Sequence, residues 1–182
     1  MRYADLIEAE LRQITPADLL ELDHLTRARD WVRSGAQLCR IAPPATPPMH
    51  LVSYFPVIDA GHILLGDHIS SGLWLPPGGH IEQGEHPRET VMRECLEELR
   101  MSARFLTNGA AFLTIAETIG ANPHEDVSLW YPLQGQAGHI PDYDVREYRN
   151  MRWFRFEDSP FDDIDPNLER FLGELRENQL VA

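Results

Sequence analysis

The chain has 182 residues, of which 43% are hydrophobic and 25% are charged, and 16 Lys and Arg against 29 Asp and Glu give a formal net charge of −13. These values exclude a disordered or fibrous chain and predict one globular core with an appendage. The acidic balance repels nucleic acid and anionic membrane surfaces, so neither is an expected partner.

The location of the protein is predicted from three features. No apolar run approaches the roughly 20 residues needed to cross a bilayer. The acidic stretch Glu8 to Glu10 near the amino terminus is unlike a signal peptide. Cys39 and Cys95 are too few for a disulfide framework and lack zinc-ribbon spacing, so both are expected to be reduced thiols. We therefore expect a cytoplasmic protein.

Two helices are predicted at the amino terminus, from Ala4 to Ile14 and from Ala17 to Val32. Thr15 and Asp18 have capping-box spacing, and Pro16 stands at a first helical position. These features predict a helical extension that packs on the main body and is compatible with a dimer contact or a lid.

The second helix is expected to end before Gly35 and to bury one apolar stripe, formed by Leu22, Leu25, Ala28 and Val32. After it, Ala42–Pro48 holds four prolines in seven residues and cannot continue a helix. This predicts a helical extension at 1–41, a proline-rich linker at 42–48 and the main domain at 49–182.

Short apolar runs then predict strands at Leu51–Ile58, His62–Leu65, Ala110–Ala116, Val127–Leu133 and Met151–Phe156. A hairpin turn is expected at Asp59-Ala60-Gly61, and a Gly-Pro turn at Leu75–Gly79. Helices are predicted from Pro87 to Leu99 and, behind Asp165 as a cap, from Pro166 to Asn178. Mixed strands with helices on both sides predict an α/β sandwich.

The helix predicted at Pro87–Leu99 has two chemically different faces. Residues three and four apart lie above one another, so Glu94, Glu97 and Glu98 fall together. The opposite face is apolar and is expected to be buried, with Val91, Met92, Cys95, Leu96 and Leu99.

A solvated acidic face is the ordinary explanation for three glutamates on a helix. Here Glu94 and Glu98 are like charges at i and i+4, which costs about 0.2–0.5 kcal/mol, and the helix C-terminus also disfavours negative charge. A hard divalent cation would offset this electrostatic repulsion. Mg²⁺ suits an open carboxylate cluster that shares the ion with phosphates.

The spacing of the whole segment is more specific than the glutamates alone. Gly79 is followed by five residues and Glu85, then by seven residues and the run from Arg93 to Met101. This register is similar to the Nudix box, the sequence signature of the Nudix (MutT-like) hydrolase family. The five positions that bear chemistry match the pattern: Glu85, Arg93, Glu94, Glu97 and Glu98.

Two positions depart from that pattern. Cys95 stands in an aliphatic slot, where a buried thiol acts as a small hydrophobic side chain. Arg100 replaces the final glycine, and a left-handed backbone there would cost on the order of 1 kcal/mol. Neither departure removes a ligand.

The resemblance implies an α/β/α sandwich with a mixed β-sheet and the N-terminal helical extension. It also implies hydrolysis of a diphosphate bond in a nucleoside diphosphate-linked substrate, with Mg²⁺ as the cofactor and Mn²⁺ as its substitute. Glu94, Glu97, Glu98 and the Gly79 carbonyl resemble the metal ligands. Glu94 is the first candidate for the base, while Arg93 and Glu85 are expected to orient the cluster.

A base or further ligand from outside the box is also expected, and the candidates are Glu125, Asp126, Asp144 and Glu147. Trp74, His80 and Trp130 are candidates for substrate binding, although core packing is expected for at least two of Trp74, Trp130 and Tyr131. Phe105–Ile119 lacks the proline of the ADP-ribose branch and the tyrosine of the diadenosine polyphosphate branch, which favours nucleoside triphosphates.

Three alternatives to this hypothesis are a zinc site, a non-catalytic module and a metal-dependent hydrolase of unrelated fold. For the last of these, the glycine turn and the arginine register would have to be coincidences. Several histidines surround the turn and suggest zinc, but their spacing matches no zinc motif: His62, His68, His80 and His86. A non-catalytic nucleotide-binding or sensor module would be expected to have lost box carboxylates, and this chain has lost none.

Overall fold

The computed structural model describes residues 2–42, 46–118, 123–158 and 163–177. In these residues the helices are α1 Tyr3–Gln13, α2 Leu19–Arg33, α3 Pro87–Leu99 and α4 Leu168–Glu177. The strands are β1 Met49–Tyr54, β2 Val57–Asp59, β3 His62–His68, β4 Trp74–Leu75, β5 Gly78–His80, β6 Phe112–Glu117, β7 Glu125–Trp130, β8 Leu133–Gln134 and β9 Tyr148–Arg155.

The strands form two mixed sheets, which confirms the α/β fold class. One sheet has the order β5-β1-β7-β6, with β1 parallel to β7 and antiparallel to β5. The other has the order β4-β3-β2-β8, and β9 pairs with β3 as well. The sheet that contains β5 also packs against α3, so it positions the predicted site.

Two prolines move the chain from one sheet to the other. Leu51–Ile58 was predicted as one strand, but it is β1 and β2 with Pro56 between them, and Val127–Leu133 likewise divides at Pro132. Proline has no N–H and interrupts a ladder. The paths still run side by side, because the Tyr131 N–H donates to the Tyr54 carbonyl at 2.8 Å. The single-strand predictions were therefore wrong.

The N-terminal helices cover the edge of the first sheet. Residues of α1 and α2, such as Ile7 and Leu25, share one core with strand residues. The Glu21 carboxylate accepts the Leu113 N–H at 3.0 Å, and His24 Nδ1 accepts the Ile115 N–H at 3.2 Å. Side chains of α2 thus satisfy edge groups of β6 that would otherwise be unpaired. The division at 1–41, 42–48 and 49–182 stays a prediction, and residues 43–45 of the linker lie outside the described residues.

The start of α2 differs from the prediction. Its N-cap is Asp18, whose carboxylate accepts the Glu21 N–H at 2.7 Å, so Pro16 precedes the helix. The Asp18 carboxylate satisfies a backbone N–H of the first turn, so Thr15 is not needed as the cap. Leu22 is 45% exposed and is not part of the buried stripe. The helix ends at Arg33, and Gly35 follows with φ 79°.

Two other predicted features can be compared with the structure. Ala60 and Gly61 have φ of 43° and 72°, as a tight hairpin turn requires, so that prediction is confirmed. The last helix begins at Leu168 rather than Pro166, after the Asp165 carboxylate accepts the Asn167 N–H at 2.7 Å. Its predicted end at Asn178 lies outside the described residues. Among those residues, every helix is too short or too polar to span a membrane.

Candidate active site

Helix α3 has the predicted bounds, and its start is capped on both sides. His86 Nδ1 accepts the Arg88 N–H at 3.2 Å, and the Glu89 carboxylate accepts the His86 N–H at 3.1 Å. Pro87 stands in the first turn, where the absent N–H costs nothing. This capping fixes where the helix begins and therefore which way each later glutamate points.

The buried face of α3 is not the one predicted. Val91, Cys95 and Leu99 are buried, but Met92 is 50% exposed and Leu96 is 57% exposed. The prediction assigned every apolar side chain to the core, whereas the helix packs on a narrower stripe. Glu98 borders that stripe and is only 3% exposed, so one of the three carboxylates is inside the protein.

The left-handed end of α3 is present as expected. Arg100 has φ 51° and ψ 27°, and its N–H donates to the Leu96 carbonyl at 3.2 Å. A side chain with a Cβ is strained in this region, and glycine is not.

We therefore predict that Arg100→Gly raises the free energy of unfolding by about 1 kcal/mol, because it relieves backbone strain at an exposed position. Urea unfolding followed by circular dichroism measures the change. Arg104→Gly is the control, since Arg104 is also exposed but has no positive φ, and it should give no gain. Equal or lower stability of Arg100→Gly would contradict the prediction.

Strand β5 brings the glycine turn directly under α3. The Glu94 carboxylate lies so close to Gly79 that a Cβ at this position would collide with it. Gly78 is crowded on the other side by Tyr54 in the same way. Glycine at these positions therefore allows the backbone of the turn to approach a carboxylate of the helix.

Arg93 links the parts of the box. Its guanidinium donates to both Glu85 carboxylate oxygens, at 3.0 and 2.9 Å, and to Glu94 Oε1 at 2.6 Å. It also donates to the His80 carbonyl at 3.2 Å. Such a forked pair holds planar groups in one orientation. The structure thus places Arg93 and Glu85 as a clamp between helix and turn.

Glu85 is held from several sides. The Thr90 hydroxyl donates to it at 2.7 Å and the Glu82 N–H at 3.1 Å. Burial by itself raises the pKa of Glu85, but these bonds and Arg93 together outweigh it, so the pKa lies below its ordinary value. Glu85 is therefore a fixed negative partner for Arg93.

Glu94 and Glu98 lie in a more confined environment. Burial raises the pKa of Glu94, with Arg93 acting in the opposite direction. Burial also holds the pKa of Glu98 well above its ordinary value, although the Tyr148 hydroxyl donates to this carboxylate at 2.8 Å. Glu97 is different, because its side chain is 59% exposed and only approaches Arg93, at 3.6 Å.

The four outside candidates are in different surroundings. Glu125 pairs with Arg27 at 2.9 Å, and Asp144 pairs with Arg146. Asp126 belongs to a separate cluster described below. Glu147 neighbours Glu98, and burial followed by the charge of Asp144 raises its pKa. Of the four, Glu147 is therefore the one whose carboxylate is next to that of Glu98, while Asp144 contacts the same residue through its backbone N–H, which donates to the Glu98 carbonyl at 2.8 Å.

The box residues suit a hard divalent cation. The carboxylates of Glu94 and Glu97 are near one another, and Glu147 and Glu94 both raise the pKa of Glu98, so negative charge is concentrated at this end of α3. The Glu94 carboxylate also lies against the backbone of Gly79. Oxygen donors with excess negative charge are what Mg²⁺ and Mn²⁺ prefer.

The aromatic candidates are mostly in the core. Trp130 and Tyr131 are fully buried, as expected for at least two of the three. The Trp130 ring packs on Phe171 at 4.9 Å between centroids, so it is a core residue, and its predicted stacking on a substrate is corrected. Trp130 lies on the face of β7 that packs against α4, and this contact cannot be predicted from the sequence pattern. Trp74 is half-buried and packs edge-on against Phe154 at 5.0 Å.

The histidines predicted around the turn do not form one group. His86 caps α3, His68 contacts the Ser71 hydroxyl at 3.0 Å, and His62 contacts the Ala60 carbonyl at 2.9 Å. His80 instead points away from α3, because neighbouring residues of a strand face opposite sides and Gly79 faces Glu94.

His80 is part of a cluster that the sequence reasoning missed. Within residues 2–42, 46–118, 123–158 and 163–177, one group of three or more His, Cys, Asp or Glu has all its ligand atoms within 4.8 Å of one another, and it consists of His50, His80, His124 and Asp126. The box carboxylates are not in this group. The period-two spacing of His124 and Asp126 was a usable signal, but their closeness to His50 depends on strand pairing.

Comparisons with known proteins agree with the architecture. The chain is 30% identical over 91 residues to the asymmetrical bis(5'-nucleosyl)-tetraphosphatase of Sus scrofa, and 29% identical over 91 residues to that of Mus musculus. Each match covers 47% of this chain and 58% of the relative, so the chain spans little more than half the length of these curated relatives.

A solved structure of a MutT NUDIX hydrolase from Burkholderia pseudomallei superposes with a TM-score of 0.56 at 23% identity, covering 70% of this chain and 98% of that one. The NUDIX domain of Shewanella oneidensis NrtR, solved with ADP ribose, gives a TM-score of 0.55 at 16% identity and covers 71% of this chain and 87% of that one. At these identities the likeness shows the fold alone. The family model described as NUDIX domain matches residues 50–175, which include the turn, α3 and the clamp, and the chain therefore belongs to the NUDIX family.

Proposed function

We propose that this protein is a divalent-metal-dependent hydrolase that cleaves a diphosphate bond in a nucleoside diphosphate-linked substrate. The observation that carries the proposal is the clamp made by Arg93, which holds Glu85, the His80 carbonyl and Glu94 together over the glycine turn. A clamp of this kind keeps the carboxylates of α3 in one orientation beside the backbone of β5.

The metal would be held by Glu94, Glu97, Glu98 and the Gly79 carbonyl. When bound, Mg²⁺ or Mn²⁺ neutralises charge on the transferring phosphoryl oxygens and lowers the pKa of a bound water. Arg93 and Glu85 are positioning residues, because their side chains act on the carboxylates and the turn. Tyr148 has the same role for Glu98, through its hydroxyl.

The reaction requires a proton acceptor for the attacking water. Water adds its oxygen to one phosphorus, the bridging P–O bond breaks, and the bridging oxygen leaves with the second phosphoryl group. Glu94 is our first candidate for the acceptor, because burial raises the pKa of this carboxylate and so makes it a better base. Glu147 is the second candidate, since it lies beside Glu98 and is outside the Arg93 clamp.

Nucleoside triphosphates are our first substrate class, because Phe105–Ile119 contains neither the proline nor the tyrosine of the two family branches. Dinucleoside polyphosphates are the second class, favoured by the 30% identity to a tetraphosphatase. Half-buried Trp74 remains the aromatic candidate for contact with a base. Solubility in the cytoplasm and dimer formation through the helical extension remain expectations from the sequence.

A nucleotide panel tests the proposal. We expect release of pyrophosphate or a nucleoside monophosphate from at least one nucleoside triphosphate, dinucleoside tetraphosphate or ADP-ribose in Mg²⁺ or Mn²⁺, and loss of release with a chelator. Chromatography of the products identifies which bond breaks. Nucleotide binding without turnover across the panel would refute hydrolysis and favour a sensor module.

A further inference from the structure

A cluster of three imidazoles and one carboxylate lies on the sheet face opposite the box. His50 on β1 is the direct partner of Asp126 on β7, and Val52, two residues along β1, is the partner of His80 on β5. Directly paired residues and residues two apart share a face of a sheet. His124 precedes Asp126 by two residues, so all four side chains meet on one face.

Three buried polar atoms of this cluster make no hydrogen bond. His50 Nε2, His80 Nε2 and Asp126 Oδ1 are buried and make no hydrogen bond in the structure. His50 is 0% exposed. Unsatisfied buried polar atoms are destabilising and rare in native proteins. The ligand atoms of the four residues lie within 4.8 Å of one another, so one ion would satisfy them together.

The second nitrogen of two rings is already engaged. His50 Nδ1 lies 2.9 Å from the Pro47 carbonyl, which only accepts, so this nitrogen carries the proton and Nε2 keeps its lone pair. His124 Nδ1 lies 3.1 Å from the Thr118 hydroxyl. Outer contacts of this kind fix the ring orientation of metal-bound histidines.

Two distances in the cluster match those of a tetrahedral site. Asp126 Oδ1 lies 3.4 Å from His50 Nε2 and 3.3 Å from His124 Nε2. Bonds of about 2.0–2.1 Å to Zn²⁺ place two tetrahedral ligand atoms roughly 3.3–3.4 Å apart. Three imidazoles and one carboxylate favour zinc-class transition metals over Mg²⁺, which prefers oxygen.

We propose that His50, His80, His124 and Asp126 bind one zinc-class divalent ion. Four protein ligands make a closed, structural site rather than a catalytic one. The ion links β1, β5 and the start of β7, and His80 is next to Gly79. It therefore stabilises the strand that carries the glycine turn, and it does so independently of hydrolysis.

Cobalt binding tests this site separately from the box. Chelator-treated full-length protein is titrated with Co²⁺ in excess Mg²⁺, so that Mg²⁺ competes for the carboxylates of α3. We expect the intense visible absorption of tetrahedral Co²⁺ at one equivalent, its removal by one equivalent of Zn²⁺, and a higher Tm with Zn²⁺.

Variants assign the ligands. His124→Ala and Asp126→Asn should each weaken Co²⁺ binding at least about 100-fold, more than an outer-contact change does. Glu97→Gln in the box and His139→Ala at an exposed position should keep the spectrum, and far-UV circular dichroism checks folding. Only weak octahedral absorption, or a tetrahedral spectrum that survives both ligand variants, would overturn the proposal.

Discussion

Glu97→Gln is expected to reduce turnover by on the order of 100-fold or more while the fold is retained. Removing a carboxylate ligand takes away several kcal/mol of charge stabilisation that the bound metal supplies in the transition state. Glu97 is exposed, and Gln has the same shape, so the free energy of unfolding should hardly change. Steady-state rates on the best substrate of the panel and a thermal unfolding curve measure the two effects.

Glu89→Gln is the matched control for this variant. Glu89 is on the same helix and is exposed, and Gln also completes a capping box, so both turnover and Tm should stay near those of the unchanged protein. Full activity of Glu97→Gln would remove Glu97 from the metal site. Equal losses in both variants would mean that the effect is one of overall charge.

Trp130→Ala is expected to lower the free energy of unfolding by about 3–5 kcal/mol, because it empties a large part of the core. The ring is fully buried between Phe112, Phe171 and Tyr54. Its N–H donates to the Thr114 hydroxyl at 3.0 Å, so the change also leaves a buried polar group without its partner. Chemical denaturation measures the loss.

Two comparisons separate packing from substrate contact. Trp74→Ala should cost less stability, because Trp74 is only half-buried. Trp130→Phe keeps most of the packing and should leave KM unchanged. A raised KM in a folded Trp130→Phe protein would restore a substrate role for Trp130.

Some predictions were wrong because they used only the hydrophobic pattern of residues close together in the chain. Leu51–Ile58 is mostly apolar, and although Pro56 marks a break within it, nothing in the run says that its two halves pair in different sheets. Met92 and Leu96 have the helical spacing of a core face, yet α3 packs on a stripe that includes Glu98 instead. In each case the deciding contact comes from another element.

The sequence by itself determined the NUDIX family, the bounds of α3 and the residues that make up the box, because these depend on spacing along one short segment and on one helical pitch. Only the tertiary structure decided that Glu98 is buried, that Trp130 is core, and that His50 meets His80, His124 and Asp126. These last facts depend on strand register and sheet order, which bring together residues far apart in the chain, so the spacing within one segment does not determine them.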